Sequence, residues 1–321
     1  MEKQFTSLEL CAGAGGQARG LEDAGFQHVA LVEIDHYACE TLRANRPEWN
    51  VIEADLNSWD PSPFQGKVDL LSGGVPCPPF SVAGKQLGKK DSRELFDRAI
   101  DIVSVVHPRG VMFENVRGLL DPKFDDFRRH ISNRLRRQGY SPKWKLLQAS
   151  DFGVPQLRPR LVCVALRTVD IKYFSWPTPS KAKSATVGEA LKDLMAVNGW
   201  SGAERWALKA DDIAPTLVGG SKKHGGADLG PTRSKNAWKQ LGVDGGGIAD
   251  SAPESGQPVD LEPKLTVRMA ARLQGFGDTW QFQGGKTAAY RQVGNAFPPP
   301  VAKEVGCRII EAWRENDNAR E

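Results

Sequence analysis

Short apolar runs alternate with stretches of helical periodicity through the first half of this 321-residue chain. The apolar runs predict strands at 5–10, 29–33, 51–54, 68–71, 111–113, 144–148 and 161–166. Helical patterns separate most of them, near 17–24, after Asp35, at 95–106 and at 124–137. Strands that alternate with helices pair in parallel, with helices on both faces of the sheet. The pattern therefore predicts an α/β fold with a doubly wound, mostly parallel sheet.

The pattern changes between about 175 and 263, where Gly, Ser, Pro, Lys and Trp replace regular periodicity. Glycine-rich runs at 219–226 and 245–247 exclude the interiors of regular elements there. A disordered linker is the alternative, but Trp200, Trp206 and Trp238 favour a folded core. We predict a smaller, loop-rich domain over 175–286. Residues 1–174 and 287–321, which end in a helix that begins at 298–300, are then expected to form a larger domain.

Composition narrows the class of protein. The five cysteines, at 11, 39, 77, 163 and 307, are odd in number and contain no Cys-x-x-Cys pair, which argues against a disulfide framework or a metal site. No apolar run approaches the length of a membrane span, and the first residues show no signal peptide. We predict a cytoplasmic protein. The formal net charge of +4 is compatible with a polyanionic partner but does not establish one.

One cysteine stands in an unusual setting, Gly73-Gly74-Val75-Pro76-Cys77-Pro78-Pro79, directly after a predicted strand. Each proline fixes its own φ and pushes the preceding residue toward extended geometry, so Cys77 is expected on a stiff loop at a strand end. An incidental thiol in a turn is the alternative. Glu114 follows another strand and is expected at the same edge. A thiol near a carboxylic acid indicates covalent catalysis with acid assistance.

Two arginines precede the last predicted strand, in Gln156-Leu157-Arg158-Pro159-Arg160. Either one alone is readily explained as a surface residue. Because they are spaced by a proline at a strand start, we expect both guanidinium groups at the edge that carries Cys77 and Glu114.

A small-residue turn with Gly13, Gly15 and Gly16 follows the first strand. Such a turn lets backbone amides approach a ligand at a helix N-terminus. Its spacing differs from the dinucleotide fingerprint, and no P-loop Gly-Lys-Ser/Thr follows. Glu33 ends the second strand, the usual place for a carboxylate that binds ribose hydroxyls, and Asp55 ends the third. Solvated acids are the alternative, but together these features predict a cofactor that contains a nucleoside.

Eight blocks in this order resemble the DNA (cytosine-5)-methyltransferase family of the bacterial restriction-modification type. The blocks are 11–16, Glu33, Asp55, Pro76-Cys77, Glu114-Asn115-Val116, Gln156-x-Arg158-x-Arg160, 268–276 and 292–296. Each block alone is weak evidence, but the complete ordered set is specific. Rival classes are a nicotinamide-dependent dehydrogenase, an RNA-methylating relative and a relative that only binds. The dehydrogenase leaves Cys77, Glu114 and the arginines without a role.

The resemblance implies S-adenosylmethionine as the cofactor, with Glu33 on its ribose and Asp55 on its adenine. Ile34 and Leu56 are expected to flank the adenine ring, and Asn295 to close the pocket. The remaining residues assigned to the cofactor are Cys11, Gly13, Gly15, Gly16, Pro76, Leu95 and Ala296. Cys11 stands where the family often has phenylalanine, and Ala296 where it often has serine, so fine contacts are expected to differ.

The resemblance also implies a cytosine flipped out of double-stranded DNA. Cys77 is expected to attack C6 of that base and Glu114 to act at N3, with Asn115 as a further catalytic residue. Arg160, with Arg158, is expected to orient the base or the neighbouring carboxylate. A lid over 81–92 is expected to contact phosphates through Ser81, Lys85, Gln86 and Lys89. The smaller domain is expected to contact DNA through Lys222, Lys223, Arg233 and Lys235. We expect a monomer with no obligate protein partner.

Overall fold

The computed structural model describes residues 4–76, 92–219 and 227–320. They divide into two compact units. The first comprises Met1–Leu147, Pro159–Thr178 and Val301–Glu321, and the second comprises Gln148–Arg158 and Pro179–Pro300. These units differ from the predicted domains at 148–158 and 287–300, which fall in the second unit, and at 175–178, which fall in the first. The functions assigned to the two domains stay predictions.

A seven-stranded sheet organises the first unit, in the order β3-β2-β1-β4-β5-β7-β6. Its strands are β1 (Phe5–Leu10), β2 (Phe26–Glu33), β3 (Val51–Glu53), β4 (Leu70–Gly73), β5 (Gly110–Val116), β6 (Tyr140–Gln148) and β7 (Pro159–Arg167). Strands β1 to β5 pair in parallel, and β7 runs antiparallel to β5. The predicted α/β fold with a mostly parallel sheet is confirmed.

The described residues contain ten α-helices. Four of them lie between strands of the sheet in sequence: α1 (Gly16–Ala24), α2 (His36–Asn45), α3 (Ser92–Val106) and α4 (Asp125–Arg137). Five belong to the second unit, and a last helix follows them: α5 (Val187–Ala196), α6 (Ala203–Lys209), α7 (Thr232–Gln240), α8 (Val267–Leu273), α9 (Lys286–Asn295) and then α10 (Pro299–Asn318). The predicted cap of α2 is present, because the Asp35 carboxylate accepts a hydrogen bond from the Ala38 N–H at 3.2 Å. This bond satisfies an amide that the first helical turn leaves without a partner.

The core of the first unit packs α3 and α4 onto the middle of the sheet. Phe96 of α3 meets Phe113 of β5 edge to face at a centroid distance of 5.2 Å, and it meets Phe127 of α4 at 5.7 Å. Burial of a phenylalanine side chain contributes about 1.5–3 kcal/mol. This packing holds β4 and β5 rigidly, so the loops at their carboxyl ends start from fixed positions.

One ion network joins the three segments of the first unit. The Arg109 guanidinium donates to Asp170 at 2.7 Å and to Asp317 of α10 at 2.7 Å. It also lies over the ring of Trp313, 5.3 Å from the centroid. Asp170 is buried and accepts a further bond from Asn316 at 2.7 Å. A buried carboxylate needs such partners, so the network holds α10 against the segment that precedes β5.

The second unit contains more helix than its sequence suggested. Its tryptophans form a folded core, as predicted: Trp238 is fully buried, and the indole N–H of Trp206 donates to the Gly242 carbonyl at 2.9 Å. The helices α5, α6 and α7 were not predicted. Helix α5 begins with a capping box in which Thr186 and Glu189 bond each other's backbone N–H groups. Within the described residues, no helix has the length and apolar character needed to cross a bilayer.

Candidate active site

The glycine turn after β1 is held by the carboxylate that ends β2. Cys11, Gly13 and Gly15 have positive φ values of 53°, 54° and 83°, which reverse the chain within five residues. Glu33 Oε2 accepts the Gly13 N–H at 2.7 Å, and its Oε1 accepts the N–H groups of Ile34 and Asp35 at 2.8 Å each. Glu33 therefore fixes the turn that leads into Gly16 and α1.

The same carboxylate keeps the capacity to bind a hydroxyl group. A carboxylate offers about four lone-pair sites, and the three amides use three of them. Ile34 follows immediately and is 65% exposed, which is unusual for an isoleucine and suits the face of an aromatic ring. These two residues fit the ribose and adenine of a nucleoside cofactor.

The acid that ends β3 has a different environment. Asp55 Oδ1 accepts the backbone N–H and the side-chain amide of Asn57, each at 2.9 Å. Leu56 is 4% exposed and packs in the core of the first unit. The side chain of Leu56 is therefore much less accessible than that of Ile34. The expectation that both flank the adenine stays a prediction.

Three further residues of this unit were assigned to the cofactor, and they differ in exposure. Pro76 is exposed, and Leu95 is partly buried against the core. Cys11 also packs against the core. Burial, and then the charges of Glu33, Glu9 and Asp55, raise the pKa of the Cys11 thiol to about 12. Cys11 is therefore an uncharged, small apolar group at neutral pH, which suits a pocket wall and not a nucleophile.

Glu114 and Arg160 meet at the end of β5. The antiparallel pairing places Val116 opposite Arg160, so the start of β7 lies beside the end of β5. Arg160 Nε is 3.6 Å from Glu114 Oε2, and the two side chains are 10% and 12% exposed. Burial lowers the pKa of Arg160, and the neighbouring Glu114 charge opposes that shift. The expected meeting of these two side chains at one sheet edge is therefore present.

Asn115 fixes the chain that leads to Cys77. Its side-chain amide donates to the Val75 carbonyl at 2.9 Å, and its Oδ1 accepts the Val116 N–H at 2.9 Å. Gly74 approaches the same site so closely that a Cβ there would lie 2.8 Å from Glu114 Oε1. A larger residue at position 74 would therefore require the Glu114 side chain to move. The carboxyl end of β4 is thus held against Glu114.

Several predicted residues lie outside the described part of the chain. They are Cys77, Ser81, Lys85, Gln86, Lys89, Lys222 and Lys223. Two other predicted DNA contacts are described, both on α7: Arg233 is exposed, whereas Lys235 pairs with Asp228 at 2.7 Å.

Arg158, Asn295 and Ala296 belong to the second unit. Arg158 is fully buried. Its guanidinium donates to the carbonyls of Leu217, Gly294 and Ala296 at 2.7, 2.6 and 3.0 Å. The expectation that Arg158 shares the edge of Arg160 and Glu114 therefore needs correction. Nothing in the sequence indicated that Arg158 would contact these three carbonyls.

Comparisons with known proteins agree with this geometry. A family model described as C-5 cytosine-specific DNA methylase matches residues 5–311. The type II methyltransferase M.NaeI of Lentzea aerocolonigenes is 56% identical over 98% of this chain and 76% of its own length. The type II methyltransferase M.NgoMIV of Neisseria gonorrhoeae is 53% identical over 98% of this chain and 100% of its own.

Solved structures share the fold. A putative DNA modification methyltransferase encoded within an E. coli prophage superposes with a TM-score of 0.69 at 22% identity, over 98% of this chain and 99% of that one. A mutant of Spodoptera frugiperda DNMT2 superposes with a TM-score of 0.65 at 18% identity, over 95% and 99%.

Proposed function

Because the chain belongs to the C-5 cytosine-specific DNA methylase family, we propose that it methylates C5 of a flipped-out cytosine within a specific duplex DNA sequence. S-adenosylmethionine is the proposed methyl donor, and the enzyme is the modification partner of a restriction enzyme. Family membership sets aside the dehydrogenase, which shares only the glycine turn and Glu33. It also favours DNA over RNA as the substrate, since both relatives carry the name type II methyltransferase.

The observation that carries the proposal is the pair of Glu114 and Arg160 beside the start of the Cys77 loop. Glu114 lies 3.6 Å from Arg160, and Asn115 holds Val75, two residues before Cys77, by its carbonyl. A carboxyl group and a guanidinium therefore lie beside the described chain that leads toward Cys77, which supports a shared role in the proposed reaction. Because C5 and C6 of cytosine are inaccessible while the base is stacked, the base must leave the duplex to reach them.

The chemistry follows from these groups. The Cys77 thiolate forms a bond to C6, and Glu114 gives a proton to N3, so the ring electrons move toward C5. S-adenosylmethionine, when bound, would supply the electrophilic methyl group to C5 and would leave as S-adenosylhomocysteine. A base then removes the C5 proton, the C6–S bond breaks and Cys77 leaves as a thiolate. N3 returns its proton to Glu114, which restores the neutral aromatic ring. Arg160 holds the Glu114 carboxyl in the direction of the base.

Each cofactor residue is proposed to contact a different part of S-adenosylmethionine. Glu33 offers its remaining lone pair to a ribose hydroxyl, and Ile34 lies against the adenine. Asp55 accepts a bond from the adenine amino group, and the uncharged Cys11 lines the pocket. Asn295 and Ala296 are assigned to the cofactor on the family resemblance.

Covalent trapping tests the reaction. Unmethylated phage DNA is treated with enzyme and cofactor, the methylated cytosines are mapped by bisulfite sequencing, and a duplex with 5-fluorocytosine at the mapped position is synthesised. Fluorine cannot leave C5 as a proton does, so the wild type should form a stable covalent complex.

Two cysteine variants complete this test. Cys77→Ala should abolish both trapping and turnover while cofactor binding persists. Cys307→Ala, in the partly exposed α10 position, is the matched control and should trap normally. An adduct that maps to Cys11 or Cys307, or a wild type that methylates no cytosine, would contradict the proposal.

A further inference from the structure

A buried polar cluster in the second unit consists of Gln156, Arg158 and Gln274. Each of these side chains is fully buried. The Gln156 amide donates to Gln274 Oε1 at 2.8 Å and to the Leu273 carbonyl at 3.0 Å. Burial of such groups is costly unless each finds partners. Besides the Leu273 carbonyl, the partners of this cluster are backbone groups of two segments far apart in sequence.

The first segment is 216–219. Arg158 Nη1 donates to the Leu217 carbonyl at 2.7 Å, and Gln156 Oε1 accepts the Leu217 N–H at 2.9 Å. Both polar backbone groups of Leu217 are therefore held by the cluster. The sequence continues after 219 with Gly-Ser-Lys-Lys-His-Gly-Gly, in the stretch that we assign to DNA recognition.

The second segment is 294–296, at the end of α9. Arg158 Nη2 donates to the carbonyls of Gly294 and Ala296 at 2.6 and 3.0 Å. Gln274 donates to the Ala296 carbonyl at 2.6 Å. Asn295, the residue between these two carbonyls, is one that the proposed function assigns to the cofactor.

The two segments also touch each other directly. A Cβ on Gly294 would lie 2.4 Å from Gly219 Cα, and a Cβ on Gly219 would lie 2.5 Å from Asn295 Oδ1. Atoms do not approach that closely without a shift, so both positions require glycine. The segment that leads into the recognition stretch therefore rests on the backbone around Asn295.

We propose that Arg158 is a positioning residue that joins target recognition to cofactor affinity by holding 216–219 and 294–296 in one arrangement. This inference rests on the proposed function. A planar guanidinium has donors in a rigid fork that reaches three carbonyls in different directions, whereas lysine offers one compact ammonium. Arg158→Lys should therefore keep the charge and release at least one segment.

The test compares Arg158→Lys with Arg268→Lys. Arg268 also donates to two backbone carbonyls of the second unit, those of Gly277 and Trp280, at 2.9 and 2.8 Å. It touches neither segment in the contacts above, so Arg268→Lys controls for loss of arginine–carbonyl bonds in general.

Three quantities are measured for each variant. They are the Kd of S-adenosylmethionine without DNA, the ratio of kcat/KM between the mapped target and a duplex with one base pair changed, and the single-turnover rate at saturation. Arg158→Lys should raise the Kd about tenfold and lower the ratio about tenfold, with the single-turnover rate within about threefold of wild type. Arg268→Lys should leave all three within about twofold.

Gly219→Ala keeps the test decisive if Arg158→Lys does not fold. It preserves every polar group but presses on Asn295, so it should raise the cofactor Kd about fivefold although Gly219 precedes the recognition stretch. Gly256→Ala, where a Cβ would meet nothing within 4 Å, is its control and should leave the Kd unchanged.

Two results would overturn the proposal. Loss of thermal stability with an unchanged Kd and target ratio would make Arg158 merely structural. A hundredfold fall in the single-turnover rate with an unchanged Kd would make it a base contact. A wild type that methylates no cytosine would refute the proposed function instead, while the Kd measurements would still decide whether 216–219 acts on the cofactor site.

Discussion

Arg158 and Arg160 are two residues apart, yet their guanidinium groups serve different regions. Arg160 stands beside a carboxylate at the end of β5, in the first unit. Arg158 is enclosed by three backbone carbonyls in the second. A carboxyl group can gain or lose a proton, so a cation beside it affects chemistry. A carbonyl cannot, so a cation among carbonyls fixes geometry. The group that each guanidinium contacts, a carboxylate or backbone carbonyls, therefore determines whether the arginine influences chemistry or fixes geometry.

The two arginine side chains point in different directions because the strand begins between them, at Pro159. Residues i and i+2 point to the same side only within a strand, and β7 begins at Pro159. Arg160 belongs to the strand and follows its pleat toward Glu114. Arg158 precedes the strand, and its direction is set by the cluster around Gln156.

The largest expected effect is on the chemical step, and it comes from changing Glu114, the partner of Arg160. Glu114→Gln keeps size and hydrogen bonding but removes the transferable proton, so the single-turnover rate should fall about a hundredfold or more. Cofactor Kd and DNA affinity should change little.

Glu9→Gln is the matched control. Glu9 is buried in β1, and burial, with a smaller contribution from the charges of Glu114 and Glu33, raises its pKa well above the ordinary value. The raised pKa favours the protonated carboxyl, which an amide resembles in size and hydrogen bonding, so the rate should stay within about twofold of wild type. Equal rates for both variants would leave Glu114 without a chemical role.

A smaller effect sharpens the contrast between the arginines. Arg160→Lys keeps the charge near Glu114 but loses the planar group that orients the carboxyl. The single-turnover rate should fall about tenfold, while cofactor Kd and target discrimination stay at wild-type values. This is the reverse of the pattern expected for Arg158→Lys. If both variants give one pattern, the two regions do not have separate roles.

The smallest effect concerns α7. Arg233 is exposed, and Arg233→Ala should reduce the slope of log affinity against log salt by about one for a phosphate contact. Lys235→Ala should have a smaller effect, because Lys235 already pairs with Asp228. Titrations of duplex DNA at several salt concentrations measure both slopes. A change in base preference without a change in slope would instead indicate that Arg233 contacts a base.

Periodicity located the strands well because most of them have a buried apolar run. The predicted strand at 5–10 coincides with β1, and that at 111–113 is the centre of β5. Helix α7 escaped prediction because only Trp238 among its nine residues is buried, which leaves no apolar stripe to detect. Helix α5 did carry a readable signal, the Thr186-x-x-Glu189 capping box.

The site was predictable where strand ends define it. Glu33 and Glu114 lie at or near strand ends, as expected, because parallel strands bring their carboxyl ends to one edge. The burial of Leu56 and the contacts of Arg158 were not expected, and the roles of these residues in binding or catalysis stay predictions. The side chain of Leu56 follows the packing of the core, and that of Arg158 follows carbonyls about 60 and 140 residues away, at Leu217 and near Ala296. Such partners leave no local pattern in the sequence.

The ion network of Arg109 has a consequence for synthesis of the protein. Its members Asp170 and Asp317 emerge from the ribosome far apart in time, roughly 7 to 30 seconds at ordinary elongation rates. During that interval Phe5 and Phe26 lack Trp313, which lies 5.1 and 6.0 Å from them in the finished fold. The nascent sheet therefore has an apolar face uncovered while residues 179–300 of the second unit are made. Chains that stop before α10 should be substrates for chaperones and proteases.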